Sequence, residues 1–132
     1  MKQERASRIA YVDTSCLVSI ALGERGAVAL ERRLSTFSEL AASNLLEAEL
    51  RATLTREGAV LDPDFLADIS WVLPARSLSG EIERVLAAGY LRGADCWHVA
   101  VALYLADDPT QVAFLTLDNK QREVAQLLGF EA

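Results

Sequence analysis

The spacing of hydrophobic and polar positions along the chain predicts strands and helices in alternation. Short β-rich runs, which we interpret as strands, occur at "RIAYV" (8–12), "ELAAS" (39–43), "SWVLP" (70–74) and "QVAFLTLD" (111–118). Segments with helical spacing, bounded by glycine or polar residues, occur at 15–23, 24–35, 44–57, 79–90, 94–106 and 119–129, with a further short helical piece at 62–69. This alternation indicates an α/β fold with a mostly parallel sheet covered on both faces.

Three aspartates lie at the ends of predicted strands or at the start of a predicted helix. Asp13 and Asp118 each follow a predicted strand directly, and Asp95 opens a segment that is apolar on every side, as in a buried helix. Sites in parallel α/β folds lie at the carboxyl ends of the strands, so Asp13 and Asp118 are expected at one edge. Each aspartate also has a structural explanation as a helix N-cap, and "DNKQ" at Asp118 matches a capping box.

Glu49 is harder to explain as a structural residue. On a helical wheel it falls inside an apolar arc formed by Leu45, Leu46, Leu50 and Leu54. An unpaired carboxylate on a buried face is costly, so Glu49 needs a partner. The nearest basic candidate is Arg56, two turns further on; a cation shared with other acids would also meet the need.

Composition limits the class of protein. The 132 residues are 52% hydrophobic and 24% charged, which favours one folded domain over disorder. No run is apolar for long enough to span a bilayer, the start shows no signal-peptide pattern, and residues 1–7 are expected to form a flexible tail. Two cysteines without metal-site spacing favour a reduced, cytoplasmic protein. The net charge of −6 argues against a broad nucleic-acid-binding surface.

Four segments of the chain resemble, in order, the conserved segments of PIN-domain nucleases. They are "YVDTSCLVSIAL", "SNLLEAELRATL", "LRGADCWHVAVAL" and "FLTLDNKQREVAQLLGF", and together they extend the similarity from about residue 9 to residue 130. The closest resemblance is to the VapC-type toxins of bacterial and archaeal toxin–antitoxin pairs. The third segment departs from the family's usual Leu-Asp-Ala pattern at Ala94, Cys96 and Trp97 but keeps Asp95 and His98, so we expect altered packing rather than lost chemistry.

The resemblance implies a single three-layer α/β/α PIN-like domain over residues 1–132 and an acidic catalytic site. The catalytic and metal-binding positions would be Asp13, Glu49, Asp95 and Asp118, with Thr14, Ser15 and Thr116 as supporting polar residues. It further implies an endoribonuclease acting as the toxin of a pair, with RNA as substrate, a small antitoxin as partner, a homodimeric state and no membrane association. No role is assigned to Asn119.

Carboxylate oxygens suit Mg²⁺ or Mn²⁺, and four acids around one pocket allow one or two such ions. The predicted reaction is hydrolysis of an RNA phosphodiester by metal-activated water, leaving a 5′-phosphate and a 3′-hydroxyl. Attack by the RNA's own 2′-hydroxyl commonly uses a pair of acid–base side chains, often histidines. The chain has one histidine, His98, which we interpret as a hydrogen-bonded packing residue. Candidate phosphate contacts are Arg51, Arg56, Arg92, Lys120 and Arg122.

Acidic residues at a sheet edge are also typical of three other kinds of protein. A phosphoacceptor receiver domain would need an acidic pair after the first strand, and a haloacid-dehalogenase-like phosphatase would need a second Asp at the position of Ser15. Neither pattern is present. A PIN fold retained as a catalytically silent interaction or RNA-binding module is the stronger alternative; loss of one acid would favour it, and all four are kept.

Overall fold

A computed structural model describes residues 8–132, which form one parallel sheet flanked by helices. The strands are β1 (Ile9–Val12), β2 (Glu39–Ser43), β3 (Ile69–Val72) and β4 (Val112–Leu115). The helices are α1 (Thr14–Ala21), α2 (Ala27–Leu34), α3 (Leu45–Arg56), α4 (Ser79–Ala88), α5 (Gly93–Leu105) and α6 (Asn119–Leu127), with a 3₁₀ turn at Pro109–Gln111. The tail expected at 1–7 lies outside the described residues.

The four strands are all parallel and lie in the order β3-β2-β1-β4. The sequence prediction of an α/β fold with a mostly parallel sheet is therefore confirmed. Because β1 is central, with β2 on one side and β4 on the other, the residues that follow β1 and β4 emerge side by side. The backbone N–H of Asp13, just past β1, donates to the carbonyl of Leu115 at the end of β4, at 2.9 Å.

Two hydrophobic layers enclose the sheet, one on each face. The alternation of side chains along a strand sends Tyr11 and Phe114 into the layer formed with α4, α5 and α6. Ala10, Val12 and Leu115 point into the opposite layer, formed with α1, α2 and α3. The three-layer arrangement explains the short apolar runs in β1 and β4, since a parallel strand covered on both faces has no exposed side.

Helix α5 is the buried helix that its all-apolar sequence predicts. His98, Val99, Ala100, Val101 and Ala102 are at most 1% exposed, so polar groups on this helix must find partners inside the protein. No helix in residues 8–132 combines the length and the apolar character that a membrane span requires.

The prediction of a short helical piece at 62–69 is wrong. Residues 63–68 form successive hydrogen-bonded turns that end at β3, with Phe65 bonded to Asp62 and Ala67 to Asp64. Pro63 contributes no backbone N–H, and the Asp62 side chain accepts from the Asp64 N–H at 3.0 Å. These local bonds satisfy the backbone without a helix, whose nucleation is costly in so short a segment.

Candidate functional site

Asp13 is held by two bonds at the carboxyl end of β1. Its Oδ2 accepts from the Ser15 N–H at 3.0 Å, so it is the N-cap of α1, as its structural explanation predicted. Its Oδ1 accepts from the Nε2 of Gln121 at 3.1 Å. The side chain is buried, with 5% of the residue exposed, and its remaining interactions point toward α6 rather than toward solvent. Capping therefore accounts for one of its two oxygens.

Asp118 lies directly before α6, in the connection that leads from β4 to this helix. Its Oδ1 accepts from the Gln121 N–H at 2.8 Å, so the predicted N-cap is confirmed. The reciprocal half of the capping box does not form, because the Gln121 side chain turns inward. The Asp118 N–H donates instead to Thr116 Oγ1 at 3.1 Å. Asp118 itself is exposed and leaves one carboxylate oxygen open.

Asp95 is not a cap, contrary to the structural explanation offered for it. Helix α5 begins at Gly93 with Arg92 at the N-cap, which puts Asp95 within the first turn. Its carboxylate accepts no hydrogen bond from any residue between 8 and 132, although the residue is only partly exposed. Burial raises the pKa of Asp95 above its ordinary value, and the nearby charges of Asp13, Asp118 and Glu49 raise it further. The structure thus brings the four predicted acids into one electrostatic cluster.

Glu49 has a partner, but it is not the one the sequence suggested. Its Oε1 accepts from His98 Nε2 and from Thr14 Oγ1, both at 2.7 Å, and these hydrogen bonds lower the pKa of Glu49. The expected partner Arg56 contacts Glu57 instead, at 3.3 Å. Arg56 lies two turns further along α3, whereas His98 contacts Glu49 from α5. A helical wheel shows only residues of one helix, so it could not predict this contact.

His98 is part of a buried chain of hydrogen bonds that ends at Glu49. The Ser43 N–H donates to the hydroxyl of Tyr11 at 3.0 Å, and that hydroxyl lies 2.8 Å from His98 Nδ1. Burial raises the pKa of Tyr11 far above its usual range, so the hydroxyl keeps its proton. Because the ionised Glu49 carboxylate only accepts, His98 Nε2 is the donor in the hydrogen bond between them. His98 is therefore the hydrogen-bonded packing residue predicted, and it also orients Glu49.

Gln121 is the residue that the sequence analysis missed. It is fully buried, its Oε1 accepts from Thr116 Oγ1 at 2.6 Å, and its Nε2 donates to Asp13 and to the carbonyl of Asp95, at 3.2 Å. One amide thus joins the ends of β1 and β4 to the start of α5. The available signal was its spacing to Val124 and Ala125, which places it on the inward face of α6.

Hydroxyl groups fix the connection between β4 and α6. Ser15 Oγ lies 3.4 Å from Thr116 Oγ1 and accepts from the Leu117 N–H at 3.1 Å. Together with Thr14 on Glu49, these bonds place the three predicted supporting residues directly beside the acids. The departure at Trp97 also has a structural use, since its indole N–H donates to Ser43 Oγ at 3.0 Å.

The charge and the spacing of the four acids decide which kind of cation they could hold. Within residues 8–132, no Lys or Arg forms an ion pair with Asp13, Asp95 or Asp118, so their charge is not neutralised by a basic side chain. In the same range, no three His, Cys, Asp or Glu side chains are close enough together to surround an ion. The donor set fits an ion of the Mg²⁺ type, which keeps most of its water and takes one or two carboxylates.

Cysteine chemistry does not compete with the acids. Burial, and secondarily the charge of Asp13, raises the pKa of Cys16 to about 12, and burial raises the pKa of Cys96. Both thiols are therefore protonated near neutral pH and are poor nucleophiles.

The PIN domain family matches residues 10–127, from β1 to the end of α6. The chain belongs to the PIN domain family. PIN domains are in general metal-dependent nucleases, and the matched range includes all four acids of the cluster. A search of curated proteins finds no match to the chain.

The position of Gln121 in this PIN domain generates a prediction about stability. Gln121→Met keeps the side-chain length but removes the partners of Asp13 Oδ1, Thr116 Oγ1 and the Asp95 carbonyl. Leaving buried polar groups without partners costs about 1–3 kcal/mol each, and local water entry reduces the sum. We expect a loss of about 2–4 kcal/mol in the free energy of unfolding, measured by urea denaturation in EDTA.

The matched control is Gln126→Met on the exposed side of the same helix, where a change within about 0.5 kcal/mol is expected. Equal stabilities of the two variants would contradict the role assigned to the buried amide.

Proposed function

We propose that this PIN domain is a Mg²⁺- or Mn²⁺-dependent endoribonuclease whose catalytic and metal-binding residues are Asp13, Glu49, Asp95 and Asp118. The observation that carries the proposal is the state of Asp95. Its carboxylate is partly buried and has no hydrogen-bond donor within the described chain, and its pKa is raised first by burial and then by the charges of three other acids. Such an arrangement disfavours the charged form unless a cation joins it, and perturbed acids of this kind cluster at functional sites.

The four acids differ in how much of each carboxylate is available. Asp95 and Asp118 have carboxylate oxygens that accept no hydrogen bond from residues 8–132, so they are the candidates for direct ligation. Asp13 and Glu49 are oriented by side-chain hydrogen bonds and are suited to contact through water or to hold a polarised water. A bound divalent cation would supply an activated water and neutralise charge on the phosphodiester. Attack by water leaves a 5′-phosphate and a 3′-hydroxyl.

The alternative, a catalytically silent module, is less well supported by the same residues. A binding module gains nothing from keeping Asp95 beside three other acids that disfavour its charge, whereas a metal-dependent nuclease uses such a group. Two of the acids are also oriented by specific side chains, Asp13 by Gln121 and Glu49 by His98.

The finer identity that we propose is the toxin of a toxin–antitoxin pair, acting in the cytoplasm as a homodimer and silenced by a small antitoxin. Its support is the resemblance of the four sequence segments to VapC-type toxins. Two unpaired, buried cysteines are consistent with a reducing compartment.

Asparagine substitutions test the catalytic assignment. Asp13→Asn and Asp95→Asn keep side-chain volume but remove charge, and we expect each to lower Mg²⁺-dependent RNA cleavage by about 100-fold or more, since metal catalysis supplies several kcal/mol. The control is Asp107→Asn, an exposed acid beyond the far end of α5, roughly 20 Å along the helix from the cluster. The readout is the rate of cleavage of cellular RNA by purified protein, with end analysis of the products.

Near-wild-type cleavage by either variant would refute the assignment. Products ending in a 2′,3′-cyclic phosphate would refute the hydrolytic mechanism while leaving a ribonuclease.

The raised pKa of Asp95 predicts how metal and pH affect stability. In EDTA at neutral pH, ionised Asp95 destabilises the folded state, so Asp95→Asn should melt higher than wild type. Because the carboxylate is partly exposed and screened by water, we expect a difference of only about 1–3 °C. Added Mg²⁺ should reverse the order, since a ligand that binds only the folded state stabilises it by about 2.7 kcal/mol at a hundredfold excess over Kd.

The pH dependence has a definite sign. A carboxyl group whose pKa is raised on folding destabilises the protein above that pKa and has no effect below the unfolded value. The advantage of Asp95→Asn in EDTA should therefore be largest at neutral pH and should narrow as the pH falls toward 3.8, the ordinary value for Asp. A melting difference that is independent of both pH and Mg²⁺ would contradict the proposed metal site.

Expression experiments test the toxin identity. We expect the wild-type chain to arrest bacterial growth, Asp13→Asn to be harmless and Asp107→Asn to remain toxic. Co-expression of the small protein encoded beside it should restore growth and yield a stable complex, and the isolated chain should be a dimer by light scattering. Harmless expression of a monomeric wild-type chain would exclude the toxin role and leave the nuclease to be judged by the cleavage assay.

A further inference from the structure

A cleft adjoins the acid cluster on the side of α5 and α6. Its volume is about 320 Å³, and it is lined by Tyr90, Leu91, Arg92, Asp95, Asp118 and Lys120. It shares Asp95 and Asp118 with the proposed catalytic site, and it contains two of the candidate phosphate contacts, Arg92 and Lys120. The cleft is therefore a place where a substrate can extend beyond the reacting phosphodiester.

Tyr90 is an exposed aromatic side chain on a firmly held segment. The residue is 75% exposed, but its neighbour Leu91 is only 6% exposed and belongs to the core. On the other side, a Cβ at Gly89 would lie 2.9 Å from Val124 Cγ2, so only glycine allows the chain to pack this closely on α6. Single exposed apolar residues are common on protein surfaces. Tyr90 differs because both its neighbours pack closely, which holds the backbone of Tyr90 at the edge of the cleft.

Two basic side chains stand in the same cleft without a carboxylate partner. Arg92 and Lys120 form no ion pair with any acid of residues 8–132, even though Asp95 and Asp118 line the same space. Arg92 is the N-cap residue of α5 and Lys120 lies in the first turn of α6. Both helices are longer than two turns, so their N-terminal dipoles add to a local positive potential. The cleft therefore combines cationic groups with an open aromatic face beside an acidic centre.

We propose that this cleft binds one unpaired nucleotide of the RNA substrate, with the base stacked on Tyr90 and its phosphate between Arg92 and Lys120. The inference rests on the proposed nuclease function and adds to it a nucleotide-binding subsite beside the reacting centre. Stacking on an aromatic side chain requires a base whose face is open, which a base inside a duplex does not offer. The neighbouring phosphodiester then lies toward Asp95 and Asp118, where the proposed reaction occurs.

Binding can be measured separately from cleavage. Fluorescence anisotropy of a labelled oligouridine in EDTA reports affinity in the absence of divalent metal, and a duplex of the same length with oligoadenylate is the comparison. We expect Tyr90→Ala to weaken oligouridine binding by about 5-fold to 150-fold, the range for loss of one stacked base, and Tyr90→Phe to restore it. The matched control is Leu127→Ala, an exposed apolar residue of α6 (72% exposed) outside the cleft, for which no change is expected.

Salt dependence tests the two basic residues. Arg92→Gln and Lys120→Gln should each reduce the slope of log K against log salt by about 0.7, the value for one phosphate contact on a single strand. The control is Arg25→Gln, an exposed arginine in the turn after α1, a helix that packs on the face of the sheet opposite α5 and α6. Its slope should equal that of the wild type.

Each result decides the proposal. Preference of the wild type for oligouridine over the duplex, lost in Tyr90→Ala and kept in Tyr90→Phe, supports it. Undetectable binding by the wild type, equal binding by Tyr90→Ala, or unchanged affinity together with an altered oligomeric state in Tyr90→Ala overturns it; the last result would assign the face to a protein contact. Binding without Mg²⁺-dependent cleavage would keep the nucleotide site and refute the proposed nuclease, so the two failures are distinguishable.

Discussion

The repulsion that three neighbouring carboxylates exert on Asp95 at one edge of the sheet is the constraint on which the rest of this site depends. Parallel pairing of β1 with β4 brings Asp13 close to Asp118, and the packing of α3 and α5 adds Glu49 and Asp95. The hydrophobic layers above and below the sheet stabilise the fold and hold these groups together against their repulsion. The apolar sequence of β1 and the acid that ends it are therefore two parts of one arrangement.

Within residues 8–132, the protein orients these acids with amide, hydroxyl and imidazole donors and pairs none of them with a Lys or Arg. Gln121 donates to Asp13, and His98 and Thr14 donate to Glu49, so these two side chains are oriented while their negative charge remains. Basic residues would have neutralised the cluster and filled the space between the acids. A cluster held in this way retains its demand for an external cation, which is the electrostatic condition that metal-dependent phosphodiester hydrolysis requires.

The features that could be predicted from the sequence are those governed by local pattern. The apolar runs before Asp13 and Asp118 predicted strands, and hence the sheet edge at which both acids lie. The helical wheel predicted an inward position for Glu49. Both predictions depend only on the side-chain periods of two residues in a strand and 3.6 in a helix. Partners across the fold could not be predicted: His98 reaches Glu49 across 49 positions of sequence, and Gln121 reaches Asp13 across 108. The wrong N-cap at Asp95 has a related cause, because the backbone of α5 begins two residues earlier, at Gly93, where no side chain marks the start.

The overall charge of −6 and a nucleic-acid substrate are compatible because the two act over different distances. At physiological ionic strength the Debye length is about 8 Å. The electrostatic interaction of a more distant RNA strand with the net charge is therefore largely screened, and a strand within that distance interacts mainly with the nearest charged groups. In the cleft those groups include Arg92 and Lys120 as well as two acids. Binding by long-range attraction is therefore weak, and short-range contacts such as base stacking must supply selectivity. A negatively charged nuclease of this design would discriminate against the continuous backbone of a duplex and favour strands whose bases are exposed.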